Sequence, residues 1–322
     1  MRKRLFVVLV LLFTGCVQHQ EEIKETRALL GTTVTITVMS ADPAAARNAI
    51  NLAFSEIERI EMLLSNYRNT SEVSKLNREG KIENASPDLI VNLEMADYYS
   101  NLSGGAFDIT VQPILDLYGR TYNIEGRPPT EEEIGEAREL IDYRNIRVDG
   151  RNVRFAKDGM SVTLGGIATG YAVDRAVEVL KDNGIEHALI NAGGDIRALG
   201  SKDSLPWTIA LQDPRNKTNY VTMMRLNNQS VTTSGDYERY FVEKKVHHII
   251  DPKTGYSAMG VISVTIVADE AIDADALATA VFVLGPEEGL ALVENLTNIE
   301  GLLITENKTL IRSSGFPKYE AN

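Results

Sequence analysis

The chain has 322 residues, with 33 Lys+Arg against 45 Asp+Glu, a net charge of −12 and a single cysteine, Cys16. A hydrophobic share of 43% suits a large core and a charged share of 24% is ordinary, which excludes a disordered polypeptide. A pI near 5.0 without a long basic run excludes nucleic acid held by phosphate contacts, and one cysteine excludes a disulfide framework or a cysteine-based metal site.

The chain opens with Arg2, Lys3 and Arg4, then an unbroken apolar run Leu5–Phe13, then Thr14, Gly15 and Cys16. Residues 1–15 read as a secretory signal: at ~1.5 Å per residue the run is far too short for a ~30 Å bilayer core. A cysteine directly after Leu12-Phe13-Thr14-Gly15 resembles a bacterial lipobox, in which the thiol is lipidated and becomes the mature N-terminus, although Phe13 stands where leucine is usual. The alternative is a plain signal peptide with an incidental cysteine. Residues 16–27 are expected to be the lipidated cysteine and a polar tether. Loss of the three N-terminal cations leaves a charge of −15, so lipid rather than charge must supply attachment to an anionic membrane. The expected location is the outer face of a bacterial membrane, on the periplasmic or extracellular side.

Thr32–Met39 alternates and is rich in β-branched residues, the pattern of a strand. Asp42-Pro43 is a helix N-cap followed by proline at the first helical position, predicting a helix through about Leu64; Ser86-Pro87 repeats the device for a second, ending near Gly104-Gly105. Thr130 with Glu133 is a capping box for a third. Tyr143–Leu164 reads as a hairpin turning at Asp149-Gly150, and a helix from about Ala168 ends at Gly184. His187–Val267 is mostly short strands, Ala274–Leu284 a helix stopped by Gly285-Pro286, and Gly301–Arg312 a closing hairpin. No regular βαβ rhythm appears, so residues 28–322 are expected to form one α+β domain of mixed sheets and helices.

Four segments carry residue choices that packing alone does not explain. Gly104-Gly105-Ala106-Phe107-Asp108 permits close backbone approach to a ligand and offers a ring and a carboxylate; a helix C-cap with a loop is the plainer reading. Leu164-Gly165-Gly166-Ile167-Ala168-Thr169 is a glycine-rich strand-to-helix turn that presents N–H groups to an anion such as phosphate, without the Walker lysine or GxGxxG spacing. Asn191-Ala192-Gly193-Gly194-Asp195 is a turn between strands. The fourth segment pairs His248-Ile249-Ile250-Asp251-Pro252-Lys253-Thr254-Gly255 with the helix holding Asp275 and Thr279. Asp275 and Thr279 stand four apart on one helix face, and hard oxygen donors without His or Cys suit Mg²⁺. Back-bonding of Thr279 and a dipole-favoured acid at 275 are the structural alternatives. His248, just before the DPKTG turn, is placed as a candidate base; a satisfied strand histidine is the alternative.

In this order the segments resemble the ApbE family, the FAD:protein FMN transferases, across the whole mature domain. The carriers are SNYRNTSEVSKLN at 65–77, GGAFDITVQP at 104–113, LGGIATGYAVD at 164–174, NAGGDI at 191–196, SGDYERYF at 234–241, HIIDPKTG at 248–255 and DALATA at 275–280. The resemblance implies an FAD cleft between two lobes, with FAD bound around Leu30, Tyr67, Ala106, Phe107, Asp108, Thr163, Thr169 and Ile250. It implies Mg²⁺ held by Asp275, Thr279 and the Gly166 position through its carbonyl. The implied activity is transfer of FMN from FAD to a Thr or Ser hydroxyl of a partner protein, typically a membrane redox-pump subunit, with release of AMP. His248, alternatively Asp251, would accept the hydroxyl proton. Leu30, Thr163 and Thr169 depart from residues common at these flavin positions in relatives, and Ala278 stands where some relatives supply another metal carboxylate, so the cation is expected to keep more water. An FAD pyrophosphatase and a non-catalytic FAD-binding lipoprotein are the competing readings.

Overall fold

The computed structural model describes residues 20–242 and 244–321, so the expected signal peptide and Cys16 lie outside the described residues. β1 (Glu21–Leu29) and β2 (Thr32–Ser40) form an antiparallel hairpin with Leu29 opposite Thr32. The tether expected over residues 16–27 is therefore corrected from Glu21 onward. β1 is an edge strand in which only Ile23 is buried, so its polar residues carry no apolar alternation to read.

Asp42 caps α1 (Pro43–Leu64) by accepting from the N–H groups of Ala44 and Ala45, both at 3.0 Å. After α2 (Glu72–Glu79) and the short β3 (Lys81–Ile82), Ser86 caps α3 (Pro87–Leu102). α4 (Gln112–Arg120) follows, and the capping box of Thr130 and Glu133 opens α5 (Glu131–Arg138). β4 (Ile146–Asp149) and β5 (Asn152–Phe155) make the hairpin read from Asp149-Gly150, and β3 joins them in a small sheet. Then come α6 (Ala168–Asp182), β6 (Ala188–Ala192), β7 (Asp195–Leu199), the hairpin β8 (Trp207–Asp213) and β9 (Asn216–Leu226), and β10 (Ser230–Gly235). β11 (Val261–Ala268), α7 (Ala271–Glu294), β12 (Glu300–Thr305) and β13 (Leu310–Arg312) complete the chain. α7 breaks where expected, at Gly285 (φ 77°, ψ −172°), but the helix resumes behind Pro286.

The main sheet has the order β1-β2-β6-β7-β10-β11-β12-β13, antiparallel throughout. α1 and α6 pack on one face through Ile50, Phe54, Val173 and Val177, and α7 continues that layer through Ala276, Leu277, Val281 and Phe282. The β8–β9 hairpin covers the other face with Trp207, Ile209 and Leu211 against Ile196, Val231 and Leu302. Sandwiched between, β11 is buried at every residue. A smaller lobe, α4 with α5, closes on Ile114, Leu117, Tyr118 and Ile134, and Ile250 ties the segment after His248 into it. The mixed α+β class matches the expectation from sequence, and a large cleft opens where this lobe meets the sheet and its helices.

Candidate active site

The cleft has a volume of about 740 Å³. It is lined by the turns at Gly165-Gly166 and Gly193, the start of β7 and the end of β10, the first turn of α6, Asp275 and Thr279 of α7, and Gln112, Leu115 and Asp116 of α4. Two glycines explain how the cleft can exist. A Cβ on Gly166 would sit 2.9 Å from Thr279 Oγ1 and 3.4 Å from the Phe107 ring, filling the space before Thr279. A Cβ on Gly170 would lie 2.3 Å from the Ala271 carbonyl, so only glycine lets α6 cross α7 this closely. The contact delivers the Gly170 N–H to Asp275 Oδ2 at 3.1 Å.

α7 is held at its start by a side chain from α6. Asp174 accepts from the N–H groups of Ala271 and Ile272, both at 2.8 Å, and pairs with the buried Arg197, which also pairs with Glu270. Burial pushes the Asp174 carboxyl up, while Arg197 and the two N–H groups pull it down. One turn further, Asp275 and Thr279 both line the cleft, with Thr279 Oγ1 3.4 Å from Ser234 Oγ. The Asp275 carboxyl is raised well above the usual range, first by burial and next by the negative charge of Asp195. Asp275 and Thr279, paired by their spacing, and Gly166, added by the resemblance, all line this cleft, and hard oxygens in an acidic pocket fit a Mg²⁺-type cation.

The two adjacent histidines diverge. His247 is buried, with Nε2 3.0 Å from the Ala258 carbonyl and Nδ1 accepting the Ile249 N–H, so both ring nitrogens are satisfied. His248 lines the cleft and its Nδ1 lies 2.9 Å from the Arg239 carbonyl. A carbonyl only accepts, so Nδ1 carries the proton and Nε2 keeps its lone pair. Burial pushes the His248 imidazole down to about 4. Asp251, the alternative base, is corrected: it does not line the cleft. Its Oδ1 accepts the Lys253 N–H at 2.9 Å and its carbonyl accepts the Gly255 N–H at 2.8 Å, so it builds the DPKTG turn.

All eight residues expected to bind FAD line the cleft: Leu30, Tyr67, Ala106, Phe107, Asp108, Thr163, Thr169 and Ile250. The Asp108 carboxylate does not offer itself to a ligand, however. Oδ1 accepts from the Thr110 N–H and hydroxyl, and Oδ2 from the Tyr143 N–H at 3.0 Å, so it clamps the loop. Leu30 sits at φ 56° in the β1–β2 turn, its N–H donating to Glu61 Oε2 at 3.0 Å. Tyr67 is 85% exposed at the mouth, its hydroxyl 3.4 Å from the Arg239 guanidinium. From sequence, Asp195 stands only as the end of a turn and Arg239 only within SGDYERYF; neither they nor Thr232 are given a role there, and all three line the cleft. The signal was there for Asp195, an acid directly behind a Gly-Gly turn.

Comparisons with known proteins agree with one another. The model of the ApbE family matches residues 30–303. The FAD:protein FMN transferase of Treponema pallidum is 33% identical, with 91% of this chain and 87% of that protein aligned. That of Vibrio cholerae is 30% identical over 97% of this chain and 95% of its own length. Among solved structures, the ApbE protein of Thermotoga maritima superposes with a TM-score of 0.86 at 36% identity, covering 94% of this chain and all 100% of that one. The flavin transferase ApbE of Vibrio cholerae gives 0.82 at 29% identity, covering 93% and 99%.

Proposed function

The chain belongs to the ApbE family, and we propose that it transfers FMN from FAD to a threonine or serine hydroxyl of a partner protein, with Mg²⁺ bound and AMP released. One observation carries the reading: a single cleft joins a neutral histidine with a free Nε2 to a hard-oxygen cation seat and two glycine-rich turns. When bound, Mg²⁺ supplies charge neutralisation on the pyrophosphate.

The residues divide the remaining work. In the Gly165-Gly166 turn and the start of α6, the N–H groups of Gly165, Ile167, Ala168 and Gly170 are taken up by Thr163 Oγ1, the Leu164 carbonyl and Asp275. Those of Gly166 and Thr169 are left for an anion. Tyr67 and Phe107 offer aromatic surface to the flavin or adenine rings. The acceptor oxygen attacks the phosphorus of the FMN half, a new P–O bond forms, the bridging P–O bond breaks, and AMP leaves. The hydroxyl proton passes to His248 Nε2, a contribution of ~10²–10⁴-fold for a well-placed base. The acceptor we propose is a membrane redox-pump subunit, and Cys16, lipidated after cleavage, holds the enzyme beside it. A Cys16→Ala chain recovered still in the membrane fraction would remove the anchor.

Incubation with FAD, Mg²⁺ and a candidate acceptor domain tests the reaction. A covalent FMN mass increment on the acceptor is the expected result. Free FMN and AMP in equal amounts, with the acceptor unmodified, would make the protein an FAD pyrophosphatase. Unchanged FAD would leave only a binding role.

A further inference from the structure

We propose that Asp195 is a further cation-binding carboxylate of the cleft, acting with Asp275 and with the hydroxyl of Thr232. The proposal rests on the reading of Asp275 as a cation ligand and adds the opposite side of the same seat. Asp195 is the first residue of β7, and alternation along that strand puts it on the same face as Arg197, which meets α6 and α7 through Asp174 and Glu270. On the neighbouring strand, Ser230 lies opposite Arg197 and Val231 opposite Ile196, so the register brings Thr232 beside Asp195. Asp195, Thr232, Asp275 and Thr279 all line the cleft.

Two features of this group are unexplained by folding alone. First, neither Asp195 nor Asp275 forms an ion pair among the described residues, although the charge of Asp195 reaches Asp275. Arg239, the only lysine or arginine lining the cleft among the described residues, lowers Asp195 less than the Thr232 hydroxyl does, both against burial, and turns its guanidinium toward Tyr67 at the mouth. Second, Thr232 is 1% exposed and its Oγ1 makes no hydrogen bond of ordinary geometry, although it lies close enough to Asp195 to lower that carboxyl. An orphaned buried hydroxyl costs about 1–3 kcal/mol. Two acids in one cleft and an idle hydroxyl are costly in a closed fold and productive around a divalent cation, which takes carboxylate and hydroxyl oxygens. Asp174 provides the contrast: β7 supplies it with Arg197, whereas Asp195 and Asp275 are left for a charge from outside.

Mn²⁺ binding to the full-length protein in detergent, followed by the loss of the free-ion paramagnetic resonance signal, tests the assignment without turnover. Asp195→Asn is expected to weaken Mn²⁺ by at least the ~10–100-fold that loss of a supporting group around a metal costs. The same substitution is nearly isosteric, so its melting temperature in metal-free buffer should not fall while the Mn²⁺-induced increase shrinks. Thr232→Val, nearly isosteric, should leave the metal-free melting temperature unchanged or higher and still weaken Mn²⁺. Wild-type Mn²⁺ affinity in Asp195→Asn would overturn the proposal, as would a lower metal-free melting temperature in that variant, which would give Asp195 a structural task. Wild-type affinity in Asp275→Asn would instead overturn the cation reading of Asp275 itself.

Discussion

Asp174 and Asp275 are both buried acids at the crossing of α6 and α7, and they have opposite surroundings. Asp174 meets Arg197 and two N–H groups of α7, so its charge is answered inside the protein. Asp275 meets one N–H, from Gly170, and the like charge of Asp195. A buried acid whose partners come with the fold positions structure; one left facing another acid beside an open cleft awaits a cation. Nature has put the two within a turn of each other, so the first fixes where the second points. The largest effect should follow from losing the second. Asp275→Ala is expected to lose Mg²⁺-dependent transfer by about 10³-fold or more, since charge stabilisation by a metal is worth several kcal/mol. Mass spectrometry of the acceptor measures this, and retention of transfer would erase the distinction.

Breaking the first member should act on stability instead. Arg197→Met leaves Asp174 buried without its cation and is expected to cost about 3–5 kcal/mol in urea unfolding. Because Asp174 caps α7, the loss should be accompanied by weaker Mn²⁺ binding at Asp275, one turn away. Full stability in this variant would show that the two N–H groups alone hold Asp174.

The two histidines make a smaller version of the same contrast. His248→Ala is expected to slow transfer by ~10²–10⁴-fold while FAD still binds, with titration of flavin fluorescence as the check on binding. His247→Ala should do the reverse. It removes a ring whose nitrogens answer the Ala258 carbonyl and the Ile249 N–H, and should cost about 1–3 kcal/mol of stability with little change in the rate per folded molecule. A rate loss in His247→Ala as large as in His248→Ala would mean that the pair acts through placement of the strand end.

What the sequence disclosed follows from how local each signal is. Asp42-Pro43, Ser86-Pro87 and the Thr130–Glu133 box act within one helical turn, and all three helices begin where those residues predict. β1 was hidden because an edge strand with one buried residue has no period to show. Resemblance supplied the flavin residues, and the cleft gathers them, but it did not separate roles that depend on distant partners. Asp108 looks like a ligand until Tyr143 is brought to its carboxylate, and Asp251 looks like a base until the turn takes up its oxygens. Asp195 and Asp275 are eighty positions apart in the chain, so their opposition is a product of the β7–β10 pairing and the α6–α7 crossing.

The smallest expected effect concerns pH, and it turns on the burial that separates His248 from an ordinary surface imidazole. An exposed histidine titrates near ~6.5. Burial lowers His248 to about 4, the Arg239 carbonyl pulls it back up, and the Arg239 guanidinium and the neighbouring His247 press it down. The folded value is thus below the unfolded one. The stability gained by keeping the ring neutral is fully present above pH ~6.5 and is lost as the pH falls toward 4. Wild type and His248→Asn should therefore differ by a constant amount above pH ~6.5 and by a progressively altered one below it, with wild type losing ground. The base should also remain competent through this window. At saturating Mg²⁺, the acid limb of the transfer rate due to His248 should fall near pH 4 rather than 6.5. A limb at 6.5 that vanishes in His248→Asn would place the imidazole in water.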